Sequence, residues 1–289
     1  MSHAPRTNSE PEPPADSPLR AALETLLLVA FFLLITGWQL PGINEAHYLA
    51  KTKHFWNPEW CRGDLLLESA DAHLVFYVLF GWVTKWLSLP ATAWVLRLLM
   101  WGLQAFTLRR LLLRVVPSPG WVLPTAVVFL ALLENCHMAG EWVVQGVEAK
   151  GFAYVLLFAG LAELAAGRWN RVWLWFGGSA ALHVLVGGWG VVAAGLVWLR
   201  ERERPTLRSM IPSLLLGGLL SLPGLVPGVL LMRNVDPAIA GEAAEIYVFK
   251  RLAHHLVFDW FPPHYKLRFL KLVAEWTGLV CLGSPGGQP

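Results

Sequence analysis

Charge is what this chain has least of. Only 15% of its 289 residues are Asp, Glu, Lys or Arg, while 55% are hydrophobic. Ordinary globular chains are about 25% charged and about 45–50% apolar. The shortage excludes a soluble enzyme and a disordered chain. Cysteine is scarce too: Cys61, Cys136 and Cys281 form neither a zinc spacing nor a disulfide framework. Cys61 and Cys136 fall in loops assigned below to the outer side, so a disulfide between them is compatible with the layout, although spacing does not establish its geometry. The formal charge of +3 comes from bases that punctuate apolar runs. No basic stripe with stacking aromatics is present, which excludes nucleic acid as a partner. No repeat of solenoid length is visible.

What is present is apolar sequence in runs of the length that crosses a hydrocarbon core, together with 16 Trp, a residue that favours the membrane–water interface. Residues 1–18 hold five Pro and no apolar period and read as a disordered cytoplasmic tail. From 19 to 283 the chain reads as one transmembrane helical domain. Leu19–Leu40 is an uncleaved signal anchor, longer than the apolar core of a signal peptide. Further apolar runs lie at 73–89, 91–113, 120–134, 151–167, 172–199, 210–232 and, weakly, 267–282. The run 172–199 is too long for one comfortable crossing and is expected to fold as a hairpin turning at Gly187, Gly188 and Gly190. The expected fold is all-α, a polytopic bundle of roughly 7–9 transmembrane or partly inserted helices. Residues 284–289 form a short polar tail, read as the end of a shortened chain.

Lys and Arg in short loops set orientation. Arg109, Arg110 and Arg114, then Arg168 and Arg171, then Arg200, Arg202, Arg204 and Arg208 belong in the cytoplasm. The polar loops at about 42–72, 134–150 and 233–266 carry most of the acids and belong outside. The run 73–89, with Trp82, Lys85 and Trp86, is expected to insert only part way; a full crossing would put Arg109–Arg114 on the wrong side. The chain is therefore expected in the inner (cytoplasmic) membrane as a multi-pass protein.

Candidate chemistry sits in the outer loops. If the first is helical, His47, Lys51 and His54 share a face, and Asp64, Glu68 and Asp71 share another. Glu45 stands at the membrane boundary. In the second loop His137, Glu141, Gln145 and Glu148 share a helical face, with Lys150 beside them. His183 is an ionisable residue inside an apolar run. In the third loop Lys250–His254 and Arg251–His255 are i, i+4 pairs suited to a phosphate. Solvated or interfacial amphipathic segments would show the same loop patterns, and His183 could be a neutral core histidine.

The order of parts resembles bacterial GT-C type membrane glycosyltransferases of the protein mannosyltransferase and aminoarabinose transferase group. The chain also resembles a family of bacterial polytopic membrane proteins carrying the run NEAHYLAKTKHFW…GDLLLESADAHLVFY. The matching positions are Asn44–Glu45 with Tyr48, the helix opening at Ala72–His73, Glu148 ahead of Lys150–Gly151–Phe152, the turn that follows His183 with Gly187–Gly188, and Lys250–His255. Where the group has two acids this chain has Asn44–Glu45, and the group's two Pro before the next helix are missing. The resemblance implies a polyprenyl-phosphate sugar donor in the membrane lipid, a divalent metal cation, and transfer on the outer face. Glu45 and Glu148 would then be the catalytic and metal-binding carboxylates. Lys250, Arg251 and His255 would hold the donor phosphate and His183 would line the cavity. A transporter or lipid flippase, and a non-catalytic membrane scaffold, are the alternatives.

Overall fold

The computed structural model describes residues 17–116, 118–136, 143–231, 233 and 235–282. The described residues are helical, without a strand. The tail at 1–16, the segment 137–142 with His137 and Glu141, and the C-terminal residues from 283 lie outside them.

Three helices are long and apolar enough to cross a membrane: α1 (Pro18–Thr36), α5 (Leu89–Val115) and α10 (Leu207–Leu231). Each has its local cause. Pro18 starts α1 at a position needing no N–H, and Gly37, at φ 70°, ends it. Ser88 caps α5 by accepting from the Ala91 amide, with Pro90 in the first turn. α10 carries Pro212, Pro223 and Pro227 and stays helical, as membrane helices do when neighbours re-satisfy the backbone. Leu34, Trp189 and Leu215 are each about 70% exposed or more, among many outward apolar side chains. A water-soluble surface does not carry such a continuous apolar cover; a membrane protein does.

Between these run α6 (Val122–Cys136), α7 (Ala149–Ala165), α8 (Trp169–Leu182) and α9 (Val184–Arg200). α5 is the central helix, buried over more of its length than α1 or α10. Small residues let the helices close on one another. A Cβ on Gly151 of α7 would collide with Met100 of α5, one on Gly160 with Phe176 of α8, and one on Gly177 of α8 with the Gly217 backbone of α10.

The structure moves the expected hairpin turn. α8 and α9 meet at His183, not at the glycines. Gly187 lies inside α9, where any side chain would strike the Ala180 backbone. Its glycine serves helix contact rather than chain reversal. Residues 74–85 form only seven residues of α-helix, α4 (Leu74–Phe80), followed by a 3-10 turn, Gly81–Lys85. Seven residues rise about 10 Å, a third of a hydrocarbon core. Arg97 stands toward the loop end of α5 and Arg109 and Arg110 toward the other, about 18 Å apart along its axis.

At that second end two carboxylates are buried among arginines. Glu24 accepts from Arg20 Nε and Arg109 Nε, each at 2.8 Å. Glu163, 1% exposed, is paired with Arg110, Arg168 and Arg171. Arg168 Nε lies 2.6 Å from its Oε2 as an ion contact without hydrogen-bond alignment.

Candidate functional site

The first loop opens with α2 (Glu45–Trp56), and this helix brings Glu45 under the bundle with no exposed surface. Its carboxylate accepts four hydrogen bonds. Arg97 gives two, Nε to Oε1 at 2.7 Å and Nη2 to Oε2 at 2.6 Å; the Gly42 amide gives one at 2.8 Å and the Val147 amide one at 2.9 Å. Arg97 lies against the Trp94 and Trp101 rings, 5.3 and 5.9 Å from their centroids, and also donates to the Gln39 carbonyl at 2.8 Å. A bidentate guanidinium with further hydrogen bonds is the geometry in which a buried pair can be retained.

Arg97 belongs to a series. Trp101 Nε1 donates to the Gln145 carbonyl at 2.9 Å, and Gln104 Nε2 donates to the Val143 and Gly151 carbonyls at 2.8 and 2.9 Å. Spaced i, i+4, i+7, the three side chains share one face of α5. Together with Glu45 they pin segment 143–151 to it. That segment is not the helix expected from the spacing of Gln145 and Glu148: 143–147 is a run of bends and Glu148 is extended, with φ −143° and ψ 157°. The pinned loop delivers Glu148 and Lys150, 4% and 7% exposed, to the cluster. Asn44 Nδ2 donates to Glu148 Oε1 at 3.2 Å, and Lys150 Nζ stands 3.9 Å from Oε2.

Around Glu148 gather residues of three further elements. The Tyr48 hydroxyl of α2 lies 3.1 Å from His73 Nε2 at the head of α4. The His73 ring stacks on His183, centroids 5.5 Å apart. Asp71 accepts from the Tyr77 hydroxyl at 2.6 Å and the His73 amide at 2.8 Å, and pairs with Lys51 at 3.3 Å and His47 at 3.9 Å. The expected acidic face of Asp64, Glu68 and Asp71 does not form. Asp64 caps the four-residue helix α3 (Leu65–Glu68) by accepting from the Leu66 and Leu67 amides, and Asp71 lies beyond it. Cys61 and Cys136 are free thiols.

Burial sets the protonation of the cluster. It holds the His73 imidazole below its ordinary value, against the pull of the Asp71 charge and a backbone hydrogen bond at Leu182. It lowers His47 likewise, with Asp71 opposing and Lys51 and Arg251 reinforcing. Burial, with Glu148 and Asp71 nearby, raises the Tyr48 hydroxyl. Burial would raise Asp71, but the Tyr77 hydroxyl, the His73 amide and the neighbouring cations bring it below the usual carboxylate value. At the turn, burial with the charges of His73 and Lys150 brings His183 down to about 4. His183 Nδ1 accepts from the Val186 amide at 3.4 Å, so its neutral ring carries the proton on Nε2.

His183 is also a wall of an apolar cavity of about 370 Å³ between α7 and α9, lined by Tyr154, Leu157, Leu161, Val186 and Trp189 among others. The polar cluster and the apolar cavity thus meet at one imidazole.

The third loop is looser than its spacing suggests. α11 (Pro237–Glu245) runs into a π-helical turn, Ile246–Arg251, which stops at Leu252 before the short α12 (Ala253–Leu256). The break separates Lys250 from His254 and Arg251 from His255, so neither pair shares a regular helical face. Lys250 and Arg251 are exposed. Arg251 lies over the Tyr247 ring at 5.7 Å, close enough to His47 for its charge to be felt there. His254 stacks on Tyr265 of α13 (Pro263–Leu282); the His255 side chain lies outside the described residues.

The structure therefore sets Glu148 near Tyr48, whose hydroxyl meets the His73–His183 stack, sets Arg251 at the margin, and places Glu45 behind the cluster as its support. The sequence reading missed Arg97 and Gln104. A charged residue inside a candidate membrane span is itself a signal, and Arg97 carried it. Glu45 does not fit a divalent cation in this arrangement. Every Glu45 lone pair is used and a guanidinium lies against it. Among the described residues no three His, Cys, Asp or Glu side chains converge on a common point. The chain matches no family model, no curated protein and no solved structure.

Proposed function

We propose that this protein is a multi-pass membrane transferase that moves a sugar from a polyprenyl-phosphate donor, working on the outer face of the cytoplasmic membrane. The observation that carries the reading is a polar cluster, with Glu148 buried and the stacked His73 and His183 half-buried, that meets an apolar cavity at His183. A lipid-linked donor has that division: a polar reacting end and a chain that belongs in hydrocarbon. The arginines at the far end of α5 favour the cytoplasm by the positive-inside rule, which leaves the cluster outside.

In this reading an acceptor hydroxyl attacks the anomeric carbon. Its oxygen bonds to that carbon, the bond from carbon to the lipid phosphate oxygen breaks, and the hydroxyl proton passes to the Glu148 carboxylate. Lys150, and His183 through its Nε2–H, stabilise the negative charge that develops on the leaving phosphate. Arg251 and Lys250 meet the donor at the margin, and Glu45 with Arg97 positions the Glu148 loop. No metal enters these steps.

Transfer from a polyprenyl-phosphate sugar by the protein in proteoliposomes tests the reading. Glu148→Gln keeps the shape and the Asn44 contact and removes the base. It is expected to lower turnover about 10²–10⁴-fold with the protein still folded. Full transfer by Glu148→Gln would remove Glu148 from the chemistry. A transporter would instead move labelled lipid across the bilayer equally well in both forms.

A further inference from the structure

On the other side of α2 from the cluster is a second cavity, of about 540 Å³, lined by Lys53, Trp56, Asn57, Thr84, Lys85, Trp86 and Leu87. Close packing of two elements makes it. Gly81, at the start of the 3-10 turn after α4, lies so near α2 that a Cβ there would stand 2.7 Å from the Trp56 ring, and this approach brings Lys85 beside Lys53. Neither lysine has a carboxylate within ion-pair distance among the described residues, and no acid lines the cavity. Both are held by aromatic faces instead: Lys53 Nζ is 4.7 Å from the Trp60 centroid and Lys85 Nζ 4.9 Å from that of Trp56. A ring holds an ammonium without taking its N–H donors, so those donors remain for an anion. Asn57 adds an amide. Thr84 donates its hydroxyl to the Gly81 carbonyl at 2.7 Å, which leaves its oxygen as an acceptor only.

The position of the cavity says which anion. Trp86 is 80% exposed and Trp82 49%, with Leu79 and Val78 exposed beside them. Membrane helix α5 begins two residues after Leu87. Exposed Trp at the start of a crossing helix marks the head-group level, where phosphate groups lie with their chains pointing inward. We infer that this pocket binds the phosphate of an anionic phospholipid, with Lys53 and Lys85 on the phosphate and Trp86 and Leu87 against the upper chain. It is independent of the transfer site and needs no transferase activity.

Native mass spectrometry of the detergent-solubilised protein, titrated with phosphatidylglycerol, phosphatidylcholine or inorganic phosphate, tests it. Phosphatidylglycerol is expected to bind saturably and in preference to phosphatidylcholine. Lys53→Ala/Lys85→Ala should weaken it about tenfold or more, about 1.4 kcal/mol at the least. Lys266→Ala/Lys271→Ala removes the same charge elsewhere, screened from the pocket by salt, and should leave affinity near the wild-type value. Lys85→Gln alone, at an exposed side chain that leaves the packing intact, should weaken binding several-fold and serves if the double variant aggregates. Equal loss in the two double variants, or equal affinity of wild type for both lipids, would return the lysines to simple interfacial attraction and overturn the site. Displacement of phosphatidylglycerol by sub-millimolar inorganic phosphate would assign the pocket to a soluble phosphate and overturn the lipid assignment.

Discussion

Both ends of α5 bury carboxylate against arginine, and Glu163 at one end and Glu45 at the other are held differently. At the arginine end Glu163 is 1% exposed, but its partners stand at the rim, with the Arg110, Arg168 and Arg171 side chains 35%, 37% and 61% exposed. Three partly wet cations share one acid, and losing one leaves two. At the loop end Glu45 and Arg97 are both sealed, 0% and 2% exposed, and the remaining acceptor sites are filled by the backbone amides of neighbouring Gly42 and distant Val147. The first arrangement fastens helix to helix with redundancy. The second fastens an irregular loop to a helix and has no substitute for either partner.

The sharpest break of that contrast is Arg97→Met. It leaves the Glu45 carboxylate buried and unpaired, and the expected cost is about 3–5 kcal/mol. It should appear as a large fall in the unfolding temperature of the detergent-solubilised protein. Glu45→Gln/Arg97→Met should recover part of the loss, since no unpaired charge remains. A double variant as unstable as Arg97→Met would mean that the loop contacts, not the charge, dominate.

Next comes helix packing, which both ends share. Gly217→Val puts a branched side chain against the Trp173 carbonyl of α8. Overpacking of that kind costs about 1–3 kcal/mol. A thermal-shift comparison with Gly218→Val, whose site has open space around it, isolates the contact from the residue change.

Acid should separate the ends by pH. Unfolded, the His183 imidazole titrates near its ordinary 6.5; folded, it titrates near 4. Between those values the unfolded chain binds the proton and the folded chain does not, so stability falls as pH drops from 6.5 toward 4 and is level above that window. His73 and His47 are depressed in the same sense. Asp71, also depressed, contributes above its ordinary 3.8 and is lost only as pH falls further. Unfolding temperatures measured across that range should flatten in His183→Gln. A curve unchanged from wild type would detach His183 from the acid response.

The smallest effect is expected at the arginine rim. Arg171→Ala removes an exposed cation 3.7 Å from Glu163 and should cost less than about 1 kcal/mol. A larger fall in unfolding temperature would show that the three arginines act as a unit rather than as spares.

Much of the helix plan was legible because apolar run length and capping residues act locally. The run 73–89 was expected to insert only part way, and it holds a seven-residue α-helix, Leu74–Phe80. The turn at His183 was not legible. Gly187, Gly188 and Gly190 suit a turn and also suit a close helix contact, and only the presence of α8 against α9 chooses between them. The site was half legible. Glu148 and His183 stood out as ionisable groups at apolar boundaries, while Arg97, Trp101 and Gln104 were hidden inside a run that simply looked like a span.

By itself the sequence determined that this is a helical membrane protein, because a chain this apolar can satisfy its backbone in lipid only through helices or closed barrels, and its runs have helical length. It also determined which end collects arginine. The tertiary structure alone decided what each buried charge does. Glu45 and Glu148 are both acids at the edge of a membrane segment. Only one meets a guanidinium and two backbone amides, because the guanidinium lies 52 residues away on another helix. A carboxylate's role follows from which donors reach it, and those distances exist only once the chain has folded.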